Sequence, residues 1–80
     1  MNRTPLKSSH IVSVGYSRTT KVLEIEFPGG SIYQYADVPE EFFHELMNHN
    51  APGKFLALNI KGIFEYRKLT PEEISADPTS

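Results

Sequence analysis

The stretch FPGGSIYQY, residues 27–35, decides the fold that we predict for this chain. It begins with a Pro28-Gly29-Gly30 run, and it then alternates two tyrosines with a glutamine. Proline pre-sets φ at about −65° for the first corner of a type I turn, and glycine readily takes the left-handed conformation of a bulge position. The stretch therefore predicts a three-residue hairpin turn that feeds a strand.

The length of this turn decides which way Tyr33 and Tyr35 point. A two-residue turn would place Gln34 on the apolar face of the sheet, where burying it without partners costs about 1–3 kcal/mol. A three-residue turn sets Tyr33 opposite Ile25 and turns Gln34 to solvent. The same register sets Tyr35 opposite Leu23. We therefore expect both tyrosines to line the core side of the sheet, with their hydroxyls at its rim.

Two strands are predicted before the turn, over residues 9–16 and 21–27. The second of them alternates apolar residues with Glu24 and Glu26, a pattern typical of a half-buried antiparallel strand. The two glutamates are expected to face solvent. The core side of this strand then carries three apolar residues: Leu23, Ile25 and Phe27.

A four-residue loop over residues 17–20 would set the register between these two strands. It pairs Val14 with Leu23. It also pairs Val12 with Ile25, so that the apolar faces coincide. The same register leaves three apolar side chains on the outer face and predicts an apolar patch there: Ile11, Val22 and Ile32.

Helices are predicted after the tyrosine strand. Residues 38–41, Val-Pro-Glu-Glu, open the first helix, because proline suits a first turn and the glutamates complement the helix dipole. Asn50 is predicted to cap a second short helix that has Pro52 in its first turn, runs to about Lys61 and ends at Gly62. The first helix ends at about residue 48 and covers the sheet with an apolar stripe: Phe42, Phe43, Leu46 and Met47.

The pattern as a whole predicts an α+β fold of element order β-β-β-α-α-β. Its antiparallel sheet is covered on one face by the two short helices, and residues 63–69 form the last strand. We expect a flexible lead-in over residues 1–8, a single domain over residues 9–69, and an acidic, largely disordered tail over residues 70–80. The tail opens on Thr-Pro-Glu-Glu, residues 70–73, which has the form of a capping box.

Composition excludes several classes of protein. With 80 residues and no cysteine, the chain has room for one domain and cannot rely on a disulfide or a Cys-based zinc site. No apolar run approaches the roughly 18 residues of a membrane span, and the first residues lack the apolar core of a secretory signal, so a cytoplasmic location is expected. The net charge of −2 is unlike that of most nucleic-acid binders.

Charge is nevertheless uneven along the chain. Residues 37–49 carry four acidic side chains and no Lys or Arg, whereas residues 50–69 carry four cations and one glutamate. An ordinary solvated surface explains such a pattern, and so does a binding footprint. Aromatic side chains beside cations are how single-stranded nucleic acid is held. The residues that could form such a patch are Tyr33, Tyr35, Phe64 and Tyr66 with Lys61, Arg67 and Lys68. The alternative is that these aromatics form the core and the cations its rim.

Catalytic and cofactor signatures are missing from the sequence. His44 and His49 are five residues apart, which does not place them on one helical face, and no metal site is predicted with them or with His10. The pair Gly29-Gly30 lacks the spacing of a phosphate-binding loop. We therefore expect no enzyme activity, no cofactor and no small-molecule substrate.

The order of several short motifs resembles the KTSC domain. These motifs are Ser8-Ser9, Val14-Gly15-Tyr16, Leu23-x-Ile25-x-Phe27-x-x-Gly30, Tyr33-x-Tyr35, Val38-Pro39, Gly53-Lys54-Phe55 and Ile60-Lys61-Gly62. The family is named for a C-terminal extension of some lysyl-tRNA synthetases and also occurs as small stand-alone bacterial proteins. The resemblance covers about residues 8–69, with the Tyr-x-Tyr motif and Gly30 as structural hallmarks. Leu56-Ala57 stand where members often have Phe-Asn.

The resemblance implies an RNA-binding role and assigns no catalytic residue. The first hypothesis is therefore a non-catalytic module with RNA as its leading ligand. The second is a protein-interaction module whose partner docks on the exposed sheet face or a sheet edge. No membrane partner is expected. The residues predicted to contact nucleic acid are Lys54, Lys61, Tyr66, Arg67 and Lys68.

Overall fold

The computed structural model describes residues 3–76 of the chain, without the side chains of residues 75 and 76. The five strands form one antiparallel sheet in the order β1-β2-β3-β4-β5. The predicted α+β class is confirmed, and a short strand and a short helix are added at the two ends. In chain order the elements are β1 (Thr4–Pro5), β2 (Ser13–Ser17), β3 (Val22–Glu26), β4 (Ile32–Tyr35), α1 (Glu40–Asn48), α2 (Pro52–Asn59), β5 (Tyr66–Lys68) and α3 (Pro71–Ala76).

The hairpin between β3 and β4 has the predicted three-residue turn. The backbone N–H of Phe27 donates to the carbonyl oxygen of Ser31 at 2.8 Å, which leaves residues 28–30 as the loop. Gly29 and Gly30 have φ values of 97° and 92°, in the left-handed region that glycine adopts without a steric penalty. The Pro-Gly-Gly run therefore forms the turn because its two glycines supply both left-handed positions.

The register across this hairpin is also the predicted one, with Tyr33 opposite Ile25 and Tyr35 opposite Leu23. Tyr35 is buried at 2% exposure, while Tyr33 is half-buried against the core. Both tyrosines thus lie on the core side of the sheet. Gln34 lies on the other side, where its amide donates to the carboxylate of Glu24 at 2.9 Å.

The predicted register between β2 and β3 is wrong by two residues. Val14 lies opposite Ile25, and Ser17 lies opposite Val22, so the loop spans residues 18–21. Lys21 closes this loop with φ of 58°, and its N–H donates to the carbonyl of Ser17 at 2.7 Å. A lysine with a positive φ is uncommon, and no residue in this loop has a conformational preference that predicts one. Because the shift is two residues, the side chains of residues 13–17 and 22–26, which pair in the two strands, keep their predicted faces.

The predicted apolar patch on the outer face is also wrong. Ile11 is fully buried and Ile32 is 3% exposed, whereas Val12, expected on the core side, is 39% exposed. The strand β2 begins at Ser13, so residues 11–12 do not follow its alternation. Val22 is half-buried. The outer face therefore lacks the apolar surface that the alternation had predicted.

A polar network occupies the outer face instead. Glu24 was expected to face solvent, but it is 1% exposed, and its carboxylate accepts from Arg3 at 2.5 Å as well as from Gln34. Ser13 donates to Glu26 at 2.8 Å. A buried carboxylate is tolerated when it is paired and hydrogen-bonded. The partner Arg3 is positioned by β1, which forms within the segment predicted to be a flexible lead-in.

The core forms between the opposite face of the sheet and the helices α1 and α2. The predicted stripe of α1 packs there, with Leu46 fully buried and the other three residues half-buried. In α2 the N-cap is Ala51 and not Asn50, and the helix ends at Asn59, short of the predicted Lys61. The buried core residues include Ile11, Val14, Leu23, Ile25, Tyr35, Val38, Leu46, Phe55, Leu56 and Ile60.

The predicted capping box opens α3, in the segment expected to be a tail. The N–H of Thr70 donates to the Glu73 carboxylate at 3.0 Å, and the N–H of Glu73 donates to the Thr70 hydroxyl at 3.2 Å. Residues 77–80 of that segment lie outside the described residues. Within residues 3–76, the structure holds no helix long and apolar enough to cross a membrane.

Candidate nucleic-acid interface

Two neighbouring cavities on the helix side of the sheet share Phe27 and Lys61. The first, which we name the lysine cavity, has a volume of about 680 Å³ and lies between residues 7–11 and the start of α2. The second, which we name the tyrosine cavity, has a volume of about 560 Å³ and lies between β4, β5 and Gly62. We call the two together the groove.

The tyrosine cavity has an aromatic wall. Tyr66 lies with its ring centroid 5.7 Å from that of Tyr33 and 5.8 Å from that of Tyr35. Phe27 meets Tyr33 edge to face at 5.4 Å. Tyr66 is 61% exposed, so it presents an accessible ring at the mouth of the cavity. Burial, followed by its two tyrosine neighbours, raises the pKa of Tyr35 above its usual value of 10.0.

Lys61 lies at the junction of the two cavities. Its Nζ is 5.0 Å from the centroid of the Phe27 ring, within the range of a cation–π contact. The turn after α2 positions it, because its N–H donates to the carbonyl of Leu56 at 2.9 Å and Gly62 follows with φ of 79°. A cation held over an aromatic ring between the cavities can serve a ligand in either of them.

The lysine cavity brings together segments that are far apart in sequence. Lys7 and His10 come from the loop before β2, and Lys54 comes from the first turn of α2. The two segments touch, since a Cβ added at Gly53 would lie 2.7 Å from the Cβ of His10. Glycine at this position therefore allows α2 to form one wall of the cavity.

The charge lining the groove differs from that of the whole chain. Three lysines and a histidine line it, and none of the described residues that line either cavity is acidic. Over the whole chain, acidic residues outnumber lysine and arginine by ten to eight. Glu41 and Glu45 of α1 line separate, smaller cavities. The structure thus gathers three lysines in a groove that has no acidic residue among its described lining, although the chain as a whole has a net charge of −2.

The structure brings together three of the five residues predicted to contact nucleic acid. Lys54 lines the lysine cavity, Tyr66 lines the tyrosine cavity, and Lys61 lines both. Lys68 lies on the same sheet face, opposite Tyr33, but outside both cavities.

Arg67, the fifth predicted residue, is turned away from the groove. It lies opposite Gln34, on the outer face of the sheet. Its guanidinium pairs there with the Glu73 carboxylate at 2.7 Å. Arg67 is therefore a cation of similar exposure to the groove lysines but on the opposite face of the sheet, which makes it a natural control position.

Sequence reasoning missed Lys7, His10 and Phe27 as residues of the groove. Lys7 lies where no periodicity was visible, and His10 was placed in the first predicted strand, although β2 begins only at Ser13. The pairing of β1 with β2 fixes where this segment runs. Phe27 was assigned to the core by alternation, and it does pack against the core. The ring also carries the Lys61 contact, which local sequence does not reveal.

Other titratable clusters have structural partners. The imidazole Nε2 of His44 lies 3.0 Å from the Glu40 carboxylate, which also pairs with Arg18 at 2.7 Å. The hydrogen bond with His44, and then Arg18, lower the pKa of Glu40. Within residues 3–76, no group of three His, Asp or Glu side chains is placed to hold a metal ion.

Comparison with known proteins finds a family match and relatives that cover most of the chain. The family model described as the KTSC domain matches residues 7–64. A lysine–tRNA ligase from a Nostoc species is 39% identical over 64 residues, which is 80% of this chain and 11% of the ligase. The chain thus spans about a tenth of the length of the ligase relatives that it matches.

Smaller relatives are matched over most of their length. An uncharacterised protein from Stutzerimonas stutzeri is 37% identical over 54 residues, 68% of this chain and 76% of that protein. The crystal structure of a KTSC domain protein from Yersinia pestis superposes with a TM-score of 0.81 at 40% identity. That similarity covers 86% of this chain and 97% of the Yersinia chain.

Proposed function

This chain belongs to the KTSC domain family, and we propose that it is a non-catalytic module that binds single-stranded RNA in the groove. The observation that carries the proposal is the separation of charge. In a chain of net charge −2, the described residues lining the groove include three lysines and no acid. The likeness to ligases named for a tRNA substrate supports RNA as the ligand class.

The two cavities suit the two chemical parts of a nucleotide. Stacking of a base on an aromatic side chain is worth about 1–3 kcal/mol and tolerates every base, since each has a π-face. Tyr66 presents such a ring at the mouth of the tyrosine cavity. Lys61 lines both cavities and Lys54 lines the neighbouring lysine cavity, where each can contact phosphate. We therefore expect binding with little base preference and a strong dependence on salt.

The polar groups lining the groove also support a binding role over a catalytic one. They are lysines, serines, one histidine, one asparagine and tyrosines. Since none of the described lining residues is a carboxylate, the groove offers no acid to orient His10 as a general base. We place the protein in the cytoplasm, where its RNA ligand would be encountered.

Fluorescence anisotropy with a labelled ten-nucleotide oligouridine at about 50 mM salt tests this function. Lys61→Ala and Tyr66→Ala should each weaken binding by about fivefold or more, because they remove a phosphate contact and a stacking surface. Arg67→Ala removes the same charge as Lys61→Ala on the opposite sheet face, so it should weaken binding by less than about twofold. If all three lysines contact phosphates, log K should fall with log salt at a slope of about −2, and in Lys61→Ala the slope should be shallower by about 0.7.

Three results would count against the proposal. The first is the absence of binding at low salt, and the second is binding that ignores salt. The third is a loss of RNA affinity in Arg67→Ala as large as that in Lys61→Ala, which would show that the RNA contacts lie outside the groove. Docking of a protein partner on the outer sheet face is less well supported, because the apolar residues expected there, Ile11 and Ile32, are buried. Docking at a sheet edge remains the form of the protein-interaction alternative.

A further inference from the structure

We propose that the lysine cavity holds the terminal phosphate monoester of the bound strand, while the tyrosine cavity stacks the adjoining base. This inference rests on the proposed RNA-binding function and adds which part of the strand is recognised. In this site Lys7, Lys54 and Lys61 contact the phosphate. Tyr66 stacks on the base.

The number of cations favours a phosphate monoester over a phosphodiester. An internal phosphodiester carries one negative charge, whereas a terminal monoester carries about −1.5 to −2 at neutral pH and has three strong acceptor oxygens. Three lysines line the lysine cavity, but Lys61 is the one lysine among the described residues that line the tyrosine cavity. The more positive end of the groove is therefore matched to the more negative end of a strand.

The size of the lysine cavity suits a phosphate with its sugar. One wall comes from the first turn of α2 and the other from the loop before β2, and the two walls approach each other at Gly53 and His10. The volume of about 680 Å³ lies within the usual range of small-ligand sites, about 300–1,000 Å³, and leaves room for a phosphate with its sugar.

The position of Lys61 links the two cavities into a site for one terminal nucleotide. Because Lys61 and Phe27 line both cavities, a phosphate on one side of Lys61 and a base on the other are separated by a single side chain. The phosphate and base of one nucleotide are held apart by its sugar alone. The strand then leaves the site past Tyr66, whose side chain is 61% exposed.

Competition binding with three unlabelled oligouridines of equal length tests the inference. One carries a 5′-phosphate, one carries a 3′-phosphate, and the third carries hydroxyls at both ends. Each displaces the same internally labelled strand, and at least one phosphorylated strand should bind about tenfold more tightly than the hydroxyl strand, because charge-assisted hydrogen bonds are the strong ones.

Two variants separate the phosphate site from the base site. Lys54→Ala should reduce the preference for the phosphorylated strand to within about twofold, because it weakens binding of the phosphorylated strand by a larger factor than binding of the hydroxyl strand. Tyr66→Ala should weaken the binding of both strands by the same factor and keep the preference for the phosphorylated strand. Both side chains are exposed, so neither substitution is expected to unfold the domain.

Equal affinity for all three strands would overturn the terminal-phosphate site and leave RNA binding intact. Binding of none of them would overturn RNA binding itself. Uridine monophosphate serves as a further competitor, and if it matched the phosphorylated strand the ligand would be a free nucleotide, not a strand end. A preference that survives in both Lys54→Ala and Lys7→Ala would place the phosphate outside the lysine cavity.

Discussion

At the scale of single residues, Gly53 determines how closely α2 approaches the loop that carries Lys7. Its conformation does not demand glycine, since no left-handed φ is found there. Space demands it instead, because an added Cβ would lie 2.7 Å from the Cβ of His10. Elsewhere in a helix, replacing glycine by alanine is favourable by about 0.5–1 kcal/mol. The contact with His10 should reverse that sign.

We predict that Gly53→Ala lowers the free energy of unfolding by about 1–3 kcal/mol, as overpacking usually does. Urea denaturation followed by circular dichroism measures it. In a His10→Gly background, which removes the opposing Cβ, the same Gly53→Ala change should be neutral or stabilising. An equal loss of stability in both backgrounds would show that the contact with His10 is not the cause.

Two neighbouring polar residues show how far single-residue reasoning reaches. Only a three-residue turn keeps Gln34 off the apolar face, so the free-energy cost of burying it without partners predicted the correct turn length. That reasoning needs only the local alternation of apolar and polar residues. Glu24 was expected to face solvent by the same alternation, but it is buried beside Arg3, which precedes it by 21 residues. That partner lies in a segment without periodicity, so local pattern could not reveal it.

At the scale of elements, α3 depends on the capping box that the sequence predicted. The backbone N–H of Thr70 donates to the Glu73 carboxylate and, as the larger cause, lowers its pKa below the usual 4.5; the Arg67 guanidinium adds to this. A lowered pKa means that the stabilisation from Glu73 is present above about pH 4.5 and is lost as the pH falls through the folded-state pKa.

We predict that Thr70→Ala raises the pKa of Glu73 toward 4.5 and frays α3. The substitution removes the hydroxyl that accepts from the Glu73 N–H, and so it loosens the reciprocal bond to the carboxylate. NMR titration of the Glu73 side-chain carboxyl in the wild type and the variant measures the change. A Glu73 pKa that is identical in both proteins would contradict the contribution of the capping box.

The loops joining β2, β3 and β4 show why one hairpin register could be predicted and the other could not. The Pro-Gly-Gly turn contains residues whose conformational preferences set its length. The loop over residues 18–21 has no such residue, and its left-handed position is taken by Lys21. Within the paired strands, hydrophobic alternation predicted the correct faces but could not distinguish registers that differ by two residues, because shifts by two preserve the faces.

At the scale of the whole molecule, the fold gathers three of the eight Lys and Arg residues in the groove, where none of the described lining residues is acidic. The sequence allowed three of the residues that line the groove to be chosen as candidate RNA contacts: Lys54, Lys61 and Tyr66. They could be chosen because cations and aromatics are clustered in the sequence after residue 53. The register of β4 with β5 places Arg67 on the outer face of the sheet, away from the groove. The pairing of β1 with β2 fixes the segment in which Lys7 lines the lysine cavity. Neither could be read from composition, since both depend on pairing between distant segments.

The most direct test of this account is to map the RNA-contacting surface by NMR, by titrating an unlabelled oligouridine into the ¹⁵N-labelled protein at about 50 mM salt. If RNA binds in the groove, the largest amide shift changes should fall on Lys54, Lys61, Gly62 and Tyr66, and the outer face around Glu24 should change least. Changes concentrated on the outer face, or no changes at saturating RNA, would contradict it.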